Sequence, residues 1–129
     1  VSRFQPHRQL QKVREALLEL HKTLVDSERV GYEVAMGPIS SPNHFLKLLS
    51  SDPWFAWLLP LSRLIVTIDE ALDRRIPLSP NEALDLLTQT RRLLVASEEG
   101  HGFPRSYFEA LQRDPDVIFA HSRVVLLMR

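Results

Sequence analysis

Five histidines and a scatter of carboxylates are the residues of this chain that could carry acid–base or metal chemistry. A di-iron centre between helices needs inward carboxylates and two Glu-x-x-His motifs, whereas the sequence holds one, Glu98 to His101, beside Gly100 and Gly102 where a helix must end. There is no His-x-x-x-His or His-Glu-x-x-His pair, so a zinc site, which gathers closely spaced ligands, is not expected. Cofactors are not expected either. Only four glycines are present, and they form no phosphate loop, dinucleotide fingerprint or Gly-x-Ser-x-Gly elbow.

Three sets of residues remain as candidates. His121 falls on the apolar seam of the last helix, which fits either a core histidine with one satisfied hydrogen bond or a pH-sensitive or ligand-contacting group. Asp69, Glu70 and Asp73 cluster near a helix C-terminus, where carboxylates oppose the macrodipole and need compensation. Arg74, Arg75, Arg91 and Arg92 could supply it through interhelical ion pairs; the sharper alternative is a polar pocket with Asp69 or Glu70 as acid or base. Trp54, Phe55 and Trp57 crowd into one turn and suit either the core or an interface hot spot.

These residues must be positioned by helices, and proline marks where the helices start. Ser41-Pro42, Asp52-Pro53, Ser79-Pro80 and Asp114-Pro115 each place a capping side chain before a proline whose missing N–H costs nothing at the first helical position. Ser79-Pro80-Asn81-Glu82 is also a capping box. It opens a helix expected from Pro80 to Ser97, with Ala83, Leu87, Thr90, Leu94 and Ser97 along its stripe.

The first helix is expected from Pro6 to the Gly37-Pro38 stop, with Leu10, Val13, Leu17, Leu20 and Leu24 on one seam. Ser27 and Gly31 continue that seam with small side chains and make a shallow notch, which a neighbour enters or where the helix weakens. Val30, Tyr32, Val34 and Met36 also alternate with period two, so a short strand competes there. Lys22–Asp26 and Arg29–Glu33 have the i,i+4 spacing of surface ion pairs.

A short helix is expected over Pro42–Leu49. Trp54, Leu58, Leu61, Ile65, Ile68 and Leu72 then give a seam in a helix apolar nearly all round, which Pro60 should kink or restart. Short and longer helices follow at Pro104–Gln112 and Pro115–Leu127.

The 129 residues suit one domain, and 44% hydrophobic with 25% charged residues is ordinary for a chain that folds alone. Sixteen basic residues balance sixteen acidic ones, so no net field favours nucleic acid or an anionic membrane. Cysteine is absent, which excludes disulfides and thiolate chemistry and fits a reducing compartment. The apolar stretch Trp54–Ile68 is too short and too interrupted to span a bilayer. The first ten residues carry Arg3 and Arg8 with no apolar run behind them, unlike a secretory signal; residue 1 is valine, which leaves open a leader removed earlier.

At Asp52-Pro53-Trp54-Phe55-Ala56-Trp57-Leu58, with Pro60-Leu61-Ser62, Leu64-Ile65-Val66 and Ile68-Asp69-Glu70 behind it, the chain resembles a family of short, uncharacterised bacterial helical proteins. Arg113-Asp114-Pro115-Asp116-Val117 with Ala120-His121 is similar to that family's second signature. The resemblance implies a bacterial source and a helical fold and carries no activity, so it assigns no functional residue. Together these readings give an all-α antiparallel bundle of about four principal helices plus short ones, acting in the cytoplasm as a non-catalytic protein-interaction or self-association module. The alternatives are a small-molecule ligand sensor with its pocket at Ser27 and Gly31, or an enzyme using Asp69, Glu70 or His121.

Overall fold

The computed structural model describes residues 5–129, and every regular element in it is helical. Residues 1–4, Arg3 of the leader reading among them, lie outside the described part. The elements are α1 (Pro6–Met36), α2 (Pro42–Ser51), a 3-10 helix (Pro53–Leu58), α3 (Leu59–Leu72), α4 (Pro80–Leu93), α5 (Phe103–Arg113) and α6 (Pro115–Leu127).

The Ser-Pro and Asp-Pro pairs start helices as their chemistry dictates. Ser41 Oγ accepts the His44 amide at 3.0 Å, Ser79 Oγ the Glu82 amide at 3.1 Å, and Asp114 Oδ1 the Asp116 amide at 2.9 Å. Each satisfies a donor that the first helical turn leaves without a partner. Asp114 does double service, since its own amide closes α5 on the Ala110 carbonyl at 3.1 Å. One residue therefore joins α5 to α6.

α1 is the spine. Leu10, Val13, Leu17, Leu20 and Leu24 are fully buried along it, each leucine contributing about 1.5–3 kcal/mol of burial. The 3-10 helix, α3, α4 and α6 all pack on this one helix. It runs on to Met36, where Gly37 turns to φ +100° and donates its amide to the Glu33 carbonyl. The period-two run at Val30–Met36 is thus helical, and its apolar residues Val30, Val34 and Met36 point to solvent.

Two expectations need correction. Trp54 does not share a helical seam with Leu58, because Pro53–Leu58 winds as a 3-10 helix, whose three-residue turn carries side chains round faster than 3.6 residues. Phe55 is buried instead, Trp54 lies toward the surface, and α3 restarts at Leu59 with Pro60 in its first turn. From there Leu61, Ile65 and Ile68 form the buried seam. The helix from Pro80 also stops earlier than Ser97. Leu94 leaves the helical conformation with ψ 50° yet stays buried, and the Ser97 amide is taken by the Pro104 carbonyl at 3.0 Å. The segment after Leu94 therefore folds back on the start of α5.

α6 runs back along α1. Gln9 Nε2 donates to the Leu127 carbonyl at 2.9 Å at one end, Arg123 pairs with Glu19 in the middle, and Arg113, just before α6, reaches Ser27 at the other. No described helix is long and apolar enough to cross a membrane.

Candidate functional site

The notch at Ser27 and Gly31 is partly filled from within the molecule, and Ser27 also lines an open furrow. The Trp54 indole covers Gly31, where a Cβ would lie 3.7 Å from its ring carbon Cζ2. Ser27 Oγ accepts from the Arg113 guanidinium at 3.2 and 3.3 Å. Between them stands Glu28, a residue that sequence reasoning passed over. Its Oε2 accepts the Trp54 indole N–H at 2.8 Å and its Oε1 accepts Arg113 Nη2 at 3.0 Å. One buried carboxylate thus ties α1 to the 3-10 helix and to the end of α5. The signal was present: Glu28 lies four residues after Leu24 and eleven after Leu17, directly in line with the seam.

The aromatic trio is largely used up by the fold. Phe55 is buried against Tyr32 and Phe45, with ring centroids 5.6 and 5.9 Å apart. Trp54 meets Tyr32 edge-on at 5.7 Å, and Trp57 packs on Phe103 at 5.5 Å. Phe103 in turn stacks on Tyr107 at 5.2 Å.

Tyr107 leads to His121. Its hydroxyl lies 2.6 Å from His121 Nδ1, the ring is fully buried, and burial raises the phenol pKa far above its usual value. Donation to His121 is what satisfies this buried O–H, so Nδ1 accepts and the proton of the neutral imidazole sits on Nε2. Burial lowers the His121 pKa. His21 is similar: its Nε2 lies 2.8 Å from Ser62 Oγ, and burial lowers its pKa as well.

Asp69 is compensated, but by a different helix from the expected ones. Arg14 of α1 places Nε 2.9 Å from Asp69 Oδ1; the two atoms face each other as an ion pair without hydrogen-bond alignment. Arg74 pairs with Glu82 at 2.5 Å and Arg91 reaches the Met128 carbonyl, so neither serves Asp69. Glu70 is exposed. No hydrogen bond or ion pair joins Asp69, Glu70 and His121, and among the described residues no three potential ligands come together to hold a metal ion. Arg29 pairs with Glu33 at 3.2 Å, and the Ile39 amide, foremost, with Arg29 behind it, lowers the Glu33 pKa.

What remains open is a furrow between α1 and α6. One part of it encloses about 660 Å³ between Glu19, Asp26 and Val30 on one side and Asp116, Phe119 and Arg123 on the other. It continues past Glu19 and Arg123 to Lys12 and Leu126, and then to Arg8 and Arg129. Its apolar residues are uncovered: Phe119 is 71% exposed, Val30 65% and Leu126 61%. A small-ligand pocket encloses most of its guest, whereas this furrow lies open to solvent along its length. Sequence reasoning pointed only to its Ser27 end and missed the rest, because both faces of α6 are apolar and periodicity alone does not say which one α1 covers.

No protein-family model, curated protein or solved structure matches this chain.

Proposed function

We propose that this chain is a non-catalytic protein-contact module, built as an antiparallel bundle whose principal helices are α1, α3, α4 and α6, and that its contact face is the furrow between α1 and α6. One observation carries the reading. Phe119, a large aromatic side chain, stands 71% exposed on a helix that already buries Val117, Ala120 and Val124 on its other side. Contiguous exposed apolar surface rimmed by polar residues marks contact sites, and Phe119 shares the furrow with the exposed Val30 and Leu126. The anchor is thus Phe119 and not the Trp54–Trp57 passage, whose rings already have partners inside the fold. The balance of sixteen basic and sixteen acidic residues favours a protein partner over a nucleic acid.

The test is photo-crosslinking in cells that express the chain. With p-benzoylphenylalanine at position 119 or 126, illumination should give covalent adducts to a protein chain, and with the same group at position 85 on α4 it should not. Equal yields at all three positions, or none at 119 and 126, would overturn the reading.

A further inference from the structure

We infer that the partner on this face is a second copy of the same chain, its α1 and α6 laid antiparallel on α1 and α6 across a two-fold axis that passes beside Glu19 and Arg123. The inference rests on the contact-module reading and names its partner. A two-fold contact brings one surface patch against itself, so the patch must be self-complementary under reversal. Few patches meet that condition.

The apolar residues meet it on α6. Phe119 and Leu126 lie seven residues apart on one face, about 10 Å along the axis. Reversal about their midpoint, beside Ser122 and Arg123, sets Phe119 against the partner's Leu126 and Leu126 against the partner's Phe119.

The charges meet it on α1. Lys12 and Asp26 are both exposed and stand seven residues either side of Glu19, the residue that α6 places beside Arg123. Reversal about Glu19 therefore sets Lys12 against the partner's Asp26, Glu15 against the partner's Thr23, and the aliphatic stem of Arg8 against the partner's Val30. Neither Lys12 nor Asp26 has an ion-pair partner within the described chain. The axis itself would hold two Glu19–Arg123 pairs, an arrangement that brings both signs together. The two helices thus give the same centre by independent arithmetic, one from apolar residues and the other from charges.

The test is the oligomeric state of the full chain, by sedimentation and native mass spectrometry across concentration. Wild type should dimerise, and Phe119→Ser should weaken the dimer by about a hundredfold. Lys12→Asp places aspartate against the partner's Asp26, and Asp26→Lys places lysine against the partner's Lys12, so each single variant should weaken the dimer by about tenfold. Mixed together, the two variants are complementary at both contacts and should form a heterodimer at least as tight as wild type. Circular dichroism checks that each variant folds, which exposed positions should permit.

Wild type that stays monomeric, or a mixture that associates no better than its components, overturns the second-copy inference. If position 119 still crosslinks to a different protein in cells, the contact-module reading survives that result. If it crosslinks to nothing, both fall.

Discussion

At the scale of single residues the polar groups hold the molecule together at a few points, and those points can be titrated. His21 and His121 are both held below the usual histidine range by burial. As pH falls through about 6.5 the unfolded chain takes up protons that the folded chain resists, so stability falls on acidification and levels off below the folded values. The urea midpoint should therefore be lower at about pH 5.5 than at about pH 7.5, and His21→Gln with His121→Gln should flatten the difference. Glu33 and Glu82 have lowered pKa values for a different reason, the Ile39 amide in one case and Arg74 in the other. Their contribution is present above the ordinary glutamate range of about 4.3 and is lost only below it, outside this window. Glu28→Ala should cost about 2 kcal/mol in chemical denaturation, because it leaves Arg113 and the Trp54 indole without their acceptor. Glu28→Gln, which keeps an acceptor, should cost less. Polar residues were the least legible in the sequence. Asp69 stood out there, but its true partner, Arg14, lies 55 positions earlier, and no local spacing rule reaches that far.

At the scale of elements the sequence was most readable where the physics is local. A capping side chain before proline decides its own turn, and Ser41, Asp52, Ser79 and Asp114 all accept a hydrogen bond in the places their type implies. What each start leads to depends on packing. Asp52 opens a 3-10 helix that buries Phe55 and lays Trp54 on Gly31, and α4 ends where Leu94 turns into the core. Asp114→Ala should lower the thermal midpoint by an amount equivalent to about 1 kcal/mol, by uncapping α6. Gly31 offers the opposite sign. It is helical with ordinary contact room for a methyl group at 3.7 Å, so Gly31→Ala should stabilise the protein by about 0.5–1 kcal/mol. Gly31→Leu should instead displace the Trp54 ring and shift tryptophan fluorescence in the folded state.

At the scale of the whole molecule, the buried seam of α1 serves every neighbour at once. Leu20→Ala should cost about 2–5 kcal/mol, a large share of the roughly 5–15 kcal/mol that holds a domain together. Helix content and tryptophan fluorescence should be lost together in one transition, and two separate transitions would show that the packing around α1 is not shared. The seam was legible from leucine spacing, whereas the partners of its outer faces were not, since which helix lands on which side is decided by contacts distant in sequence. The spine also sets a rule for length. Removing one residue from the middle of α1 would turn everything beyond it by about 100°, swinging Glu28 away from Trp54 and Arg113 while Leu10 and Val13 stay seated. The segments 37–41, 73–79 and 94–102 have no such ruler running through them. Natural variants of this protein should accordingly differ in size at those three places and keep the distance from Leu10 to Gly31 unchanged.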